Sequence, residues 1–485
     1  MIPAKYVHIA LAALLAGCSL GPKYERPAVE LPAAWQDSPA QGLKADGERW
    51  WKLYSDPALD RLIEEALAHN QDLALATARV DEARALARVA DAQLYPGILA
   101  SAQRDRTRAS GRTATLEPNI PLETNNYKVQ LDVSYEVDLW GRLSNASRAA
   151  RADLLASQAA RETVRITLAS EVARAYYGLV AFDTQVEATR RALELRSGAF
   201  ELQKVRHAAG LINDFDVRTL ESEVASARAQ LPTIESARTT QELALAVLLG
   251  RSPRAITEGT VDRSAERGAP APPVVPEGLP SDLLLRRPDI VQAEQSLIAA
   301  HARIDVARAA LFPRIALTGY IGSESAALGD LFSGPARIWQ LAFALAQPIF
   351  QAGRLFGEID ATKARERQAL AQYQKTLQEA FREVRQALST QVRARETFEA
   401  ENARVMALSE ALRLAVIRFE NGLLSRFEVI DSERNLLQAE LNRADALRAQ
   451  RAAVADIVRA LGGGWQGLEA ESLAHQKPWQ KTSPD

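Results

Sequence analysis

The sequence predicts a mainly α-helical chain with a β membrane domain, built as an internal tandem repeat. Three observations predict this. The first is Tyr127–Gly141, YKVQLDVSYEVDLWG, in which Tyr127, Val129, Leu131, Val133, Tyr135, Val137 and Leu139 alternate with Lys128, Gln130, Asp132, Ser134, Glu136 and Asp138. Period two makes a strand with one apolar and one charged face. Ordinary strands run about 5–6 residues, whereas a strand tilted across a bilayer needs about 9–11. Length and pattern together suggest a membrane barrel strand, although a single strand of a soluble sandwich can show the same alternation. The second observation is a repeat. Trp339–Gly353, WQLAFALAQPIFQAG, begins 339 − 127 = 212 residues later in the same phase. Gly141-Arg142 maps onto Gly353-Arg354 at that shift, Glu171-Val172 onto Glu383-Val384, Gly210-Leu211 onto Gly422-Leu423, and Leu249-Gly250 onto Leu461-Gly462. A constant shift without a gap marks a tandem duplication. The third is a helical run from Gly141 to about His207, free of proline. Roughly 65 residues at 1.5 Å each reach about 100 Å, far beyond a usual globular helix.

From the N-terminus, residues 1–17 carry Lys5, then an apolar run from Val7 to Leu15. This reads as a secretory signal, too short for a spanning helix. Leu15-Ala16-Gly17-Cys18 resembles the bacterial lipobox. That resemblance implies cleavage before Cys18, with a diacylglyceryl thioether and an acylated new N-terminus on it, and Ser19 favours the outer membrane over retention at the inner one. More than one chain gives stable anchoring, at roughly 0.8 kcal/mol per buried CH₂. Cys18 is the single cysteine, so no disulfide is expected.

Residues 18–56 form a lipidated arm rich in Pro and Gly, with no apolar period. Asp56-Pro57 reads as an N-cap with proline at the first helical position, opening a helix that runs to about Leu94. A weaker strand at about 98–108 and the strong strand at 127 make a hairpin with a long polar loop, within about 98–140. A helical hairpin follows at about 142–250. Its outgoing arm repeats Val172, Leu179, Val186, Leu193 and Phe200 every seven residues, the mark of a supercoiled helix. It turns at Ala208-Ala209-Gly210 and returns through Val217, Leu220, Val224, Ala227, Leu231 and Ile234, with Pro232 set to kink or break the return arm. Residues 57–250 thus make repeat 1 and 251–280 a Pro-rich linker. Repeat 2 spans 281–462, with a helix over Ser281–Leu311, a β-hairpin at about 314–350 and a helical hairpin at about 354–462. Gly462-Gly463-Gly464 stops the last helix, and 463–485 is a tail.

The net charge of −2 offers no field for nucleic acid. No Walker A, paired Cys/His cluster or Ser/His/Asp signature is present, and His69, His207, His301 and His475 are scattered. The sequence therefore predicts no enzyme, no metal and no cofactor beyond the covalent lipid. Each copy supplies two strands, so one chain supplies four, whereas the smallest single-chain bacterial barrels have eight. Open edges cannot face lipid, so strands in a membrane require chains to associate.

The sequence resembles the outer membrane factors of tripartite efflux systems, in the lipoprotein branch related to the NodT/OprM type, with the TolC-like fold. GPKYERP at 21–27, WW with DPALDRLIEEALAHNQDLALATARV at 50–80, EVDLWGR at 136–142, LLRRPDIVQAEQSLIAAHARIDVARAALFPRIALTG at 284–319 and LGGGW at 461–465 carry the resemblance. It implies a homotrimer with a twelve-stranded barrel in the outer membrane. A twelve-helix periplasmic tunnel would continue it, ringed by a mixed α/β belt that holds the linker and termini. It also implies a passive exit duct, a periplasmic adaptor (membrane fusion protein) and a proton-driven inner-membrane transporter of the resistance–nodulation–division class.

By the same resemblance the tunnel closes near 205–216 and 418–434. Phe427, Asp431 and Arg434 match an apolar residue, an acid and a base of the periplasmic gate, with Phe427 departing from the family's aliphatic choice. Their i,i+4 and i,i+3 spacing lets one face present all three, and a plain helix-surface ion pair would look the same. Asp431 shifts back onto Thr219, leaving one such acid per chain. Gly210, Leu211, Gly422 and Leu423 match the adaptor-contact tips, and ordinary turn glycines with packed leucines would share the pattern. A protein-secretion duct of type I shares the fold. A non-porous lipoprotein coiled coil is the alternative of another class, although it has no need of alternating strands.

Overall fold

The computed structural model describes residues 24–28, 49–112, 121–263, 287–463 and 465. A short 3₁₀ turn at Trp50–Tyr54 leads into α1 (Pro57–His69) and α2 (Gln71–Ala92). Then come β1 (Gly97–Arg108), β2 (Glu123–Val137), α3 (Arg142–Ala208), α4 (Asp214–Leu248) and the small α5 (Pro253–Glu258). The second half holds α6 (Pro288–Ala309), β3 (Arg314–Ser325), β4 (Arg337–Ala346), α7 (Arg354–Glu420) and α8 (Arg426–Ala460). The shift of 212 is kept to the residue: α3 and α7 start at 142 and 354, and α4 and α8 at 214 and 426. The helix and strand before them sit at 217 instead, since α2 and β1 start at 71 and 97 and α6 and β3 at 288 and 314.

The four strands form one antiparallel sheet in the order β1-β2-β3-β4. Its register aligns one face throughout. Val133 lies between Ile98 and Gly319, which pairs with Leu341; Leu131 lies between Ala100 and Ile321, which pairs with Trp339. The apolar side chains of this face are uncovered, including Leu131, Ile321, Trp339, Leu341 and Phe343. The outer edges of β1 and β4 have no partner among the described residues.

Several sequence expectations need correction. The helix expected over Pro57–Leu94 is two helices. Asn70 has extended backbone, and its side chain accepts from the N–H groups of Asp72 and Leu73 to cap α2. Its Nδ2 also donates to Leu248 O at 2.9 Å, tying this break to the end of α4. Gly250 closes the same joint at φ +69°, where a Cβ would lie 2.1 Å from His69 O. The capping asparagine followed by Asp72 was a legible stop that the long helical composition masked. Pro232 does not break the return arm; α4 runs through it. The strong strand ends at Val137 and not at Leu139, because Asp138 turns its carboxylate to the N–H groups of Leu143 and Ser144 and caps α3. The linker region opens with α5, capped by Ser252. The helix of repeat 2 begins at Pro288, and 281–286 lie outside the described residues.

The main core sits halfway along α3. Trp50, Trp51 and Tyr54 pack with Leu59 and Ile63 of α1, Val172, Tyr176 and Leu179 of α3, Leu245 of α4 and Val454 of α8. Val172, Leu179 and Val186 of the heptad row are buried, while Leu193 and Phe200 nearer the tip are half-buried. This belt is helical among the described residues. The signal, Cys18, most of the linker and the tail lie outside them. Of the arm, 24–28 and 49–56 are described. Arg26 makes a two-pronged ion pair with Glu294 of α6, Nε to Oε1 at 2.6 Å, and Tyr24 sets its ring edge-on to His301. Glu294 is 7% exposed, so this short motif supplies the counter-charge of a buried carboxylate.

Candidate gate and docking tips

EVDLWGR builds the junction between sheet and helices. Arg142 pairs with Glu136 through two bonds of 2.8 and 2.7 Å. Trp140 donates from Nε1 to Pro313 O at 2.9 Å and stacks on Phe312 at 4.8 Å. Strand and helix are thereby joined with a set geometry, and α3 carries it to the far end.

There the two hairpin tips are built alike. Leu211 N–H donates to Arg206 O and Gly210 N–H to His207 O; Leu423 N–H donates to Arg418 O and Gly422 N–H to Phe419 O. Both are Schellman turns, and both glycines have positive φ, +73° and +72°. The leucine after such a glycine usually packs back on its helix. Leu211 and Leu423 are instead 72% and 69% exposed, so packing within the chain does not account for them. Asn213 caps α4 by accepting from Asp216 N–H. Ser425 opens α8, its N–H donating to Glu428 at 2.8 Å, and this bond holds the Glu428 carboxyl below its usual range.

Phe427 is in the first turn of α8 and 61% exposed. Its counterpart one repeat earlier, Phe215, is exposed as well. Asp431 accepts from Arg434 Nη2 at 2.8 Å and from Asn435 Nδ2 at 3.1 Å. The structure thus brings Asp431 and Arg434 together as the spacing predicts. Thr219, the first-copy counterpart of Asp431, spends its hydroxyl on Phe215 O. Sequence reasoning missed the remainder of this cluster. Arg434 Nη1 lies 3.7 Å from Glu223 on α4, whose other oxygen is 3.4 Å from Arg196 on α3. Arg196 is buried, with Nε and Nη2 lacking hydrogen-bond partners. Arg426 sits 3.7 Å from Glu433, whose carboxyl is pushed up by burial against the pull of Arg426 and Arg196. These charges tie α8 to α3 and α4 just above the tips. No local spacing announces pairs that meet only when three helices pack; a charge beside the Leu220–Val224 core row was the one available hint.

An amphipathic sheet whose edges are unpaired among the described residues, running into helical hairpins whose longer arms reach about 100 Å, defines the channel class of outer membrane protein. The family model for "Outer membrane efflux protein" matches residues 62–251 and 279–463. The "Probable efflux pump outer membrane protein TtgC" of Pseudomonas putida is 34% identical over 462 residues, 94% of each chain. The "Probable outer membrane lipoprotein SilC" of Salmonella typhimurium is 32% identical over 473 residues, covering 96% of this chain and all of that one. The solved Campylobacter jejuni CmeC outer membrane channel shares the fold, with a TM-score of 0.88 over 94% of this chain and 97% of that one at 24% identity. The chain belongs to the outer membrane efflux protein family: it is an outer membrane channel through which a pump discharges.

Proposed function

We propose that three copies form the passive exit duct of a tripartite pump. Three sheets of four strands close a twelve-stranded barrel, and the hairpins of all three make a twelve-helix tunnel across the periplasm. The observation that supports this most is the sheet, apolar on one uncovered face and, among the described residues, open at both edges. Unpaired edges cannot persist in lipid, and threefold closure removes them. Cys18 carries the lipid, a reading supported by the name of the SilC relative. The exposed Gly-Leu tips at 210–211 and 422–423 dock a periplasmic adaptor, which joins the duct to an inner-membrane transporter of the resistance–nodulation–division class. Phe427, Asp431 and Arg434 form the gate, each repeated as a ring by the symmetry. The chain performs no covalent chemistry; energy and cargo selection belong to the transporter.

Electron microscopy of the lipidated, detergent-extracted protein tests the assembly. Threefold end views and long tubular side views are expected; rods without a bore would overturn the duct in favour of a structural lipoprotein. Intact mass of the mature chain reads the lipid, and an unmodified Cys18 would remove the anchor from the proposal. Pull-down of an adaptor that is lost in Leu211→Asp/Leu423→Asp tests the docking tips.

A further inference from the structure

The outward apolar band of the sheet ends in arginine on both edge strands and on neither inner strand. Along β2 the band runs from Val137 to Tyr127, a rise of about 34 Å along the strand. Tilted about 40°, that is close to the roughly 25 Å apolar height of outer-membrane barrels. At the end away from the helices, β1 continues the same face with Arg104, level with Tyr127, and beyond it with Arg106 and Arg108, opposite Asn125 and Glu123. On β4 the residue after Trp339 on this face is Arg337, level with Ser323 of β3. All four arginines are exposed. Arg106 and Arg108 share the one carboxylate of Glu123, at 2.8 and 3.4 Å, and Arg104 lies 5.4 Å over the Tyr127 ring. On this face of the four strands, four cations thus meet one anion.

We propose that these arginines form a binding site for phosphorylated lipid headgroups of the outer leaflet, completed by two copies of the chain. It rests on the trimeric barrel proposed above. Barrel closure lays β1 of one copy beside β4 of the next, so Arg104, Arg106 and Arg108 border the same seam as Arg337 of the neighbour, at each of three seams. Guanidinium is the cation best shaped for phosphate, which it holds through two parallel bonds. The Tyr127 and Trp339 rings just below mark the interface where headgroups lie. Edge strands of soluble sheets also carry charge to block pairing, but these edges must pair for the barrel to exist, so that role does not explain four arginines.

Native mass spectrometry of the delipidated, detergent-solubilised trimer tests the site, with bisphosphorylated lipid A, its phosphate-free form and inorganic phosphate as probes. Wild type is expected to hold up to three bisphosphorylated molecules and to bind the phosphate-free form at least tenfold more weakly. Arg104→Gln/Arg337→Gln, which removes one cation from each side of the seam, is expected to lower binding about tenfold or more with the trimer intact, and Arg104→Lys/Arg337→Lys to recover part of it. Equal binding of both lipids by wild type, or unchanged binding by the glutamine variant, would overturn the site. Saturation by inorganic phosphate at the same concentration would overturn the lipid as its ligand. A glutamine variant that loses the trimer is read through Arg106→Gln/Arg108→Gln, for which the same loss of binding is expected. A wild-type chain that is monomeric would overturn the duct itself, and the seam with it.

Discussion

The two repeats own helices of the same length in unequal surroundings. α3 and α7 each span 67 residues, yet twenty-six residues of α3 are buried and only ten of α7. α3 packs against α1, α2, α4, α6 and α8, whereas the main neighbours of α7 are α6 and α8. The junctions differ in the same direction. Glu136 and Asp138 bind β2 to α3, and Trp140 ties this junction to Pro313 ahead of β3; at the shift of 212 the second junction has Pro348, Phe350 and Ala352. Phe350 is 86% exposed. The duplication is therefore not a redundancy. The first repeat is the internal support of the chain, and the second leaves more of its surface uncovered within the chain.

The largest effect should come from breaking that division. Met406 and Ile417 are exposed apolar residues on one side of α7, three turns apart. Met406→Glu/Ile417→Glu is expected to leave helicity by circular dichroism intact and abolish the trimer in analytical ultracentrifugation. A surviving trimer would mean that a neighbour does not cover this side. Val172→Glu places one charge in the α3 core without a partner and is expected to prevent folding of the protomer itself. Next in size is Asp138→Ala, which strips the cap from α3 and should cost about 0.5–2 kcal/mol in chemical unfolding. Phe350→Ala at the second junction should change the protomer by less than about 0.5 kcal/mol, as exposed positions usually do. Equal losses would remove the asymmetry of the junctions.

The same asymmetry governs how much was legible in the sequence. Periodicity and the constant shift are local signals, and they located the four strands and both long hairpins. The long α3 and α7 stand where the heptads and glycines placed them. What escaped was set by distant partners. Asn70 stops a helix partly because Leu248 O awaits its amide. Arg26 matters because Glu294, far along the chain, is buried beneath it. At the proposed gate, Asp431 and Arg434 are three residues apart and visible as a pair, whereas Glu223 and Arg196 join them only through the packing of α4 and α3 against α8.

The proposed gate offers a smaller contrast between the repeats. Asp431→Ala releases Arg434 and Asn435 from an exposed pair worth about 0.5 kcal/mol, so the fold should tolerate it. It is expected to loosen the tip and raise single-channel conductance in a planar bilayer. Thr219→Val, at the matching place in repeat 1, is expected to leave conductance unchanged. A silent Asp431→Ala would argue that the pair only decorates the helix.

A further small effect separates two glutamates five residues apart on α8. Glu433 has its pKa raised by burial, despite Arg426 and Arg196 and with Glu223 adding to the rise. Its folded form binds a proton more tightly than the unfolded chain. Stability from this group is therefore highest in acid and falls as pH climbs from about 4.5 through the raised value. Glu428 has its pKa lowered by the Ser425 N–H, so its contribution is full above about 4.5 and is lost as pH falls through the lowered value. Chemical unfolding across this range should show Glu433→Gln more stable than wild type near neutrality, by less than about 1 kcal/mol, with the two converging below about pH 4.5. Glu428→Gln should be less stable near neutrality and converge in acid. A Glu433→Gln variant weakened at neutral pH would mean that Arg426 and Arg196 need its charge more than burial opposes it. The cluster above the tips would then be a lock that tightens with pH, where the pKa shift describes one that acid relieves of a buried charge.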